Sequence, residues 1–196
     1  MGKKGWVVKK ERPEDKGEAT EEYDKEGAEH YEREGMKRIQ KTIMIRALLL
    51  AKIPQGAKVL DAGCGTGFGM ELLAEAGYEA QGFDVSQAMV EKAKAKGFEV
   101  KQGDLRSIPF DDHSFDAIVS ISALQWVPLQ EREKVAKEFW RVLKEKATAV
   151  IQHYPKSEDE MMRTGLLFRR QGFKVTLQID NEDNPRKRKI YMLLDK

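Results

Sequence analysis

Apolar and polar positions along this chain follow two rhythms that take turns. Over residues 35–52, Ile39, Ile43, Ala47 and Leu50 recur at helical spacing, and Pro54 and Gly56 end the pattern. Residues 58–62 read as a buried strand. A glycine-rich turn and a helix to about residue 76 follow it, with Gly77 after the last turn. A second strand is expected over 79–84. Ser86 is placed to cap the next helix, which stops at Gly97. A third strand is expected over 98–102. The longest apolar run, over 115–124, reads as a strand buried on both faces. A helix over 129–144 carries Val135, Phe139, Val142 and Leu143 on its core side. After a fifth strand over 148–154, Ser157 and Glu160 have the spacing of a capping box and open a helix ending near Gly172. Strands over 174–180 and 189–194 flank a short polar loop. The alternation predicts an α/β fold, a doubly wound, mostly parallel seven-stranded sheet with a C-terminal antiparallel hairpin.

Residues 1–34 stand apart. They hold few aliphatics and many charged residues, Tyr23 and Tyr31 excepted, and are expected to form a flexible or loosely docked lead to a single domain over 35–196. The whole chain of 196 residues sets 35 Lys and Arg against 33 Asp and Glu, a net charge of +2. Such interspersed charge excludes a uniformly basic coat, so any basic footprint is local. The lone Cys64 excludes a disulfide scaffold, and with only His30, His113 and His153 beside it a Cys/His zinc site is not expected. The apolar stretch 43–51 is broken by Arg46, and nothing approaches the roughly 18 apolar residues of a membrane span. The basic start runs into acidic sequence, not an apolar segment. The expectation is a soluble cytoplasmic protein.

After the first strand stands Asp61-Ala62-Gly63-Cys64-Gly65-Thr66-Gly67-Phe68-Gly69. Glycines allow a tight turn and close approach of a ligand, and the helix that follows adds free N–H groups. The dinucleotide pattern G-x-G-x-x-G fails in both registers, because Phe68 and Met70 occupy its last position. The D-x-G-x-G-x-G pattern instead resembles motif I of the class I S-adenosylmethionine methyltransferases. The resemblance implies a Rossmann-like fold and S-adenosylmethionine as cofactor. Asp84, ending the second strand, would accept both ribose hydroxyls, with Val85 beside it. Asp104, ending the third, would accept from the adenine amino group, and Leu105 would pack on the adenine face. Gly63, Cys64, Gly65, Gly67 and Ser120 complete the implied cofactor set. Asp61 is expected to order the loop and meet the methionine end. Cys64 reads as a small buried filler, not a nucleophile. One such acid alone reads as a cap or turn residue; three at strand ends beside the glycine loop favour the cofactor.

Ligands of open α/β sheets bind beyond the carboxyl ends of the strands. There the chain offers Gln125 and Trp126 after the fourth strand, Tyr154 after the fifth, and Arg186, Lys187, Arg188 and Lys189 after the sixth. With Tyr23 and Tyr31, these pair aromatic faces that stack bases with cations that hold phosphates, as RNA binding requires. Taken singly, the charge run is a solvated turn and each aromatic a core residue. No Asn-Pro-Pro-Tyr-like tetrapeptide follows the fourth strand. Segments 23–48, 120–126, 154–156 and 184–194 resemble the small-subunit ribosomal RNA (guanine-N7)-methyltransferases. The eukaryotic members carry a long basic C-terminal extension where this sequence ends at Lys196, so the resemblance is to an archaeal type.

That resemblance implies methyl transfer to guanine N7 and a role in ribosome biogenesis. N7 already bears a lone pair, so positioning suffices and no catalytic residue or metal is nominated. His153 lies near the mouth, where a hydrogen-bonded structural role is an equal reading. It implies too that the third strand is a sheet edge on which a small zinc-binding activator protein docks by strand addition. Two other readings stay open: a small-molecule methyltransferase on the same core, and a ribosome-assembly factor acting mainly by binding.

Overall fold

Val59, Leu60, Asp61 and Ala62 are all buried, so β1 (Lys58–Ala62) has no solvent face and takes an interior place in the sheet. The computed structural model describes residues 12–31, 34–184 and 186–196; the expectation for residues 1–11 lies outside the described residues. Flanking β1 in parallel are β2 (Glu79–Asp84) and β4 (Phe115–Ile121). The order is β3-β2-β1-β4-β5-β7-β6, with β3 (Val100–Gln102) at one edge, β5 (Leu143–His153) beside β4, and β6 (Lys174–Asp180) at the other edge. The single reversed strand, β7 (Lys189–Asp195), pairs antiparallel with both β5 and β6. β6 therefore runs parallel to the first five, and the loop 181–188 lies at their carboxyl end.

Alternate residues of the interior strands face opposite layers. Val59, Ala117, Val119 and Val150 pack with Ile43, Met44 and Ala47 of α3 (Glu34–Ala51). Leu60, Ile118 and Ile151 pack with Val135 and Phe139 of α6 (Arg132–Val142) and Phe168 of α7 (Glu158–Gln171). Buried Arg132 joins α6 to α7: its guanidinium lies 2.8 Å from Glu160 and donates to Thr164 at 2.7 Å and to the Val127 carbonyl at 2.9 Å. Removing one partner of such a buried pair costs about 3–5 kcal/mol. Two further helices, α4 (Phe68–Glu75) and α5 (Gln87–Ala95), connect β1 to β2 and β2 to β3. The caps expected from sequence form: Ser86 Oγ accepts from Met89 N and Ser157 Oγ from Glu160 N.

Four elements differ from expectation in their boundaries. β3 starts at Val100, not 98, because Phe98 N is still tied to Ala93 O at the end of α5. β4 stops at Ile121, not 124: Ser122 takes a left-handed φ of 57°, and Leu124–Trp126 forms a 3₁₀ turn. The helix expected over 129–144 opens as a 3₁₀ turn, Leu129–Glu131, and ends at Val142, since Leu143 is already extended. β5 starts there and is bulged, Phe115 facing Leu143 but Ala117 facing Thr148.

The described part of the lead is helical. A 3₁₀ turn (Pro13–Asp15) precedes α1 (Ala19–Glu22) and α2 (Lys25–Tyr31). Arg12 donates to the Tyr154 carbonyl at 2.6 Å, Ser86 Oγ donates to the Tyr23 carbonyl at 2.5 Å, and Lys156 pairs with Asp15. These contacts lay the segment over the carboxyl ends of the strands.

Candidate functional site

β1 delivers Asp61 to the sheet's carboxyl edge, where the chain turns back through three glycines of positive φ, Gly63, Gly65 and Gly67. Gly63 admits no side chain, because a Cβ there would lie 2.5 Å from the Ala123 methyl of the β4 loop. Its N–H and that of Cys64 both donate to the Phe83 carbonyl, which ties the turn to β2. Asp84 locks the arrangement. One of its oxygens accepts from Gly65 N and the other from Ser86 N, each at 2.9 Å. Burial raises its carboxyl, and these backbone N–H groups work against that rise. Asp61 is also buried, yet no described residue donates a hydrogen bond to it. Burial and the neighbouring Asp84 charge push its carboxyl up to about 7.

Above this turn lies a cavity of about 500 Å³, within the range of roughly 300–1,000 Å³ of small-molecule sites. Gly63, Gly65, Asp84 and Val85 line it, joined by Asp104 and Leu105 of the β3 loop, Gln125 and Trp126 of the β4 loop, and Tyr154 and Lys189. Tyr23 and Tyr31 of the N-terminal helices line it too. Tyr23 meets Tyr31 and Trp126 edge-on, at 5.9 and 5.4 Å between ring centres, and Tyr31 stacks on Phe68. Burial pushes the Tyr23 hydroxyl up to about 12 and raises Tyr31 further. Lys189 Nζ lies 5.0 Å over the Tyr154 ring and donates to its hydroxyl at 3.2 Å. A small second cavity joins Asp61 and Cys64 to Tyr31 and Phe68.

Other expected residues stand off the cavity wall. Ser120 is buried, and its hydroxyl donates to the Ala62 carbonyl, linking β4 to β1. Gly67 caps α4. The Cys64 thiol is raised by burial. Arg186, Lys187 and Arg188 lie in the β6–β7 loop, where Arg188 reaches the Glu182 carbonyl. His153 is buried, as a structural histidine would be, but neither ring nitrogen has a described hydrogen-bond partner. His113 lies within 3.1 Å of the Leu143 carbonyl. Among the described residues no group of three His, Cys, Asp or Glu is arranged to hold a metal.

Three residues that the sequence reading did not assign to the site shape it. Arg106 lines the cavity and clamps Asp104. Ser86 holds both Asp84 and the Tyr23 backbone, and Arg12 holds Tyr154. As a whole the wall suits the implied cofactor. Side-chain-free glycines admit close approach. The buried carboxylates of Asp61 and Asp84 form no ion pair with a described cation, so a cationic ligand would complement them.

A family model described as a methyltransferase domain matches residues 60–151. The 18S rRNA (guanine-N(7))-methyltransferase of Bos taurus is 32% identical to this chain, over 93% of the chain and 70% of the relative. Its counterpart of Mus musculus is 31% identical over the same shares. Among solved structures, the methyltransferase in complex with the Trm112 methyltransferase activator of Haloferax volcanii shares the fold, with a TM-score of 0.71 at 19% identity. That match covers 88% of this chain and 96% of the other.

Proposed function

The chain belongs to the 18S rRNA (guanine-N(7))-methyltransferase family, and we propose that it methylates N7 of a guanine in small-subunit ribosomal RNA, in the service of ribosome biogenesis. It is an S-adenosylmethionine-dependent methyltransferase. The observation that carries the substrate reading is the joining, in one cavity, of the glycine turn, Asp84 and Asp104 with Tyr23, Tyr31, Trp126, Tyr154 and Lys189.

When bound, S-adenosylmethionine supplies an electrophilic methyl group on a sulfonium. Gly63, Gly65 and Asp84 would hold the cofactor's centre, Asp104 and Leu105 its adenine, and Asp61 its methionine end. The aromatic residues would stack the target base and exclude water, and Lys189 would meet an adjacent phosphate. Among the described residues the wall carries no histidine, the buried Cys64 thiol is raised, and Tyr23 and Tyr31 hold their protons tightly. A substrate atom that already bears a lone pair suits such a wall, because the site has only to position and desolvate.

The partner reading follows the fold. Among the described residues β3 pairs with β2 alone, and no strand lies on its other side. We infer that a small zinc-binding activator adds a strand there, as the likeness to the Haloferax volcanii methyltransferase supports. No helix among the described residues is long and apolar enough to cross a membrane; we place the protein in the cytoplasm.

Mapping N7-methylguanosine in small-subunit RNA from cells with and without the gene tests the function. Loss of one methylated guanine, restored by the parent chain but not by Asp84→Asn, is the expected result. An unchanged methylation map would overturn it.

A further inference from the structure

Asp61 and Asp84 lie at the carboxyl ends of adjacent strands, Asp61 facing Gly82 across the ladder. Their residues are only 2% and 9% exposed. Asp84 spends both oxygens on the backbone N–H groups of Gly65 and Ser86, whereas Asp61 has no described donor. None of the described groups around Asp61 brings a positive charge. Asp84 of β2, Tyr31 of α2 and Cys64 of the turn are titratable and lack positive charge. Gln40 and Met44 of α3, Phe68 and Gly69 of α4, and Ile121 of β4 do not titrate.

Two buried carboxylates without a compensating cation cannot both stay ionised at little cost. One must hold a proton or meet a positive ligand. The backbone donors assign the standing charge to Asp84 and the proton to Asp61.

We propose that Asp61 makes the pocket read ligand charge: it keeps its proton in the free protein, releases it to solvent when cationic S-adenosylmethionine binds, and regains it when the sulfonium charge is lost on methyl transfer. The proposal rests on the cofactor reading above and adds to it a preference for cofactor over product that strengthens as pH rises. The raised carboxyl of Asp61, at about 7, puts this exchange in the working range. One O–H bond breaks, its proton goes to buffer, and the carboxylate left behind faces the ligand's positive charge.

Calorimetry on the full chain tests this, with S-adenosylmethionine and S-adenosylhomocysteine titrated at pH about 6 in buffers of different ionisation enthalpy. About one proton should leave per S-adenosylmethionine bound, and fewer per S-adenosylhomocysteine. Affinity for S-adenosylmethionine should rise by about tenfold per pH unit up to pH about 6.5. That window lies below the titration of the ligand's own amino group. In Asp61→Asn the release and the slope should vanish while S-adenosylhomocysteine still binds. Binding of S-adenosylmethionine without proton release or pH slope overturns the inference and leaves the cofactor reading standing. Absence of binding at every pH overturns the cofactor reading itself. A slope that survives in Asp61→Asn assigns the proton elsewhere and sinks the role of Asp61. The parent-chain measurement decides alone if the variant does not fold.

Discussion

Arg106 grips both carboxylate oxygens of Asp104, Nε to one at 2.8 Å and Nη2 to the other at 2.6 Å, while its own backbone N–H adds a third bond at 2.7 Å. The same guanidinium reaches Glu131. Burial opposes the Asp104 charge, but the Arg106 hydrogen bonds outweigh it and hold that carboxyl below its ordinary range. The adenine acceptor proposed at Asp104 is thus oriented by a neighbour. Arg106→Met should cost about 1 kcal/mol, discounted for partial exposure. That corresponds to about 2–4 °C in melting temperature. Affinity for S-adenosylmethionine should fall by up to about tenfold. Arg106→Lys keeps the charge but not the fork, and should recover these losses only in part. A carboxyl of lowered folded value stabilises above its unfolded value and loses that contribution as pH falls. Melting of Arg106→Met should therefore depend less on acid below pH about 4. Equal melting and equal affinity in the variant would remove Arg106 from the site.

His153 presents the opposite sign. Burial, with the Arg132 charge as a second cause, lowers its imidazole to about 3. The unfolded chain takes up that proton near pH 6.5. Between the two values the unfolded state binds more protons, so stability falls as pH drops, by about 2 kcal/mol at pH 5. Without a described partner for either ring nitrogen, the side chain returns little for its desolvation. His153→Leu should match the parent at pH 8 and exceed it at pH 5. Chemical denaturation at the two pH values checks this; a parallel loss of stability in both proteins would show that His153 is not the acid-sensitive group.

The glycine turn and the acids at residues 61, 84 and 104 were legible because strand-end position and glycine spacing are periodic features of sequence. The layer faces were legible too: alternation alone sends Val59 one way and Leu60 the other. What escaped depends on single backbone angles or on distant contacts. Ser122 and Lys146 take left-handed conformations that their residue types do not announce, and these end β4 early and bulge β5. Arg12 meets Tyr154 across 142 positions of sequence, a pairing that no local pattern encodes. The clamp from Arg106 is local but aperiodic, two residues from its partner, and reads in sequence as one more surface charge.

The basic run divides by position. Lys189 starts β7 and lines the cavity, while Arg186 and Lys187 are exposed in the loop before it. Replacing residues 186–189 with Ser should flatten the salt dependence of RNA affinity, by about 0.7 in log–log slope per lost phosphate contact on single strands. Lys189→Ser alone should also lower turnover, and Arg186→Ser with Lys187→Ser should not. Filter binding over a salt series, with single-turnover methylation alongside, separates the two. A slope unchanged in the fourfold variant would return the run to a solvated turn.

The edge strand carries the last prediction. Gly82 N donates to Glu99 O and Gly103 N to Asp84 O, each at 3.0 Å, with Gly82 facing Val100 and Asp84 facing Gln102. In a parallel ladder this spends the groups of 99, 101 and 103 on β2 and turns the N–H and C=O of Val100 and Gln102 outward. Val100 is buried, so proline there would disturb the core; Gln102 is exposed. Gln102→Pro therefore deletes one outward donor and no ladder bond, the one setting in which a strand accepts proline cheaply. Its side-chain bond to the Val85 carbonyl is exposed and worth little. The variant should melt within about 2 °C of the parent and bind S-adenosylmethionine equally well. Its affinity for the zinc-binding activator should fall by about tenfold or more, since strand addition needs that N–H. Lys101→Ala changes an exposed side chain on the same strand and leaves the outward backbone intact, so it should bind the activator nearly as the parent does. Pull-down and calorimetry with purified activator measure both variants. Undiminished binding by Gln102→Pro would move the partner off this edge.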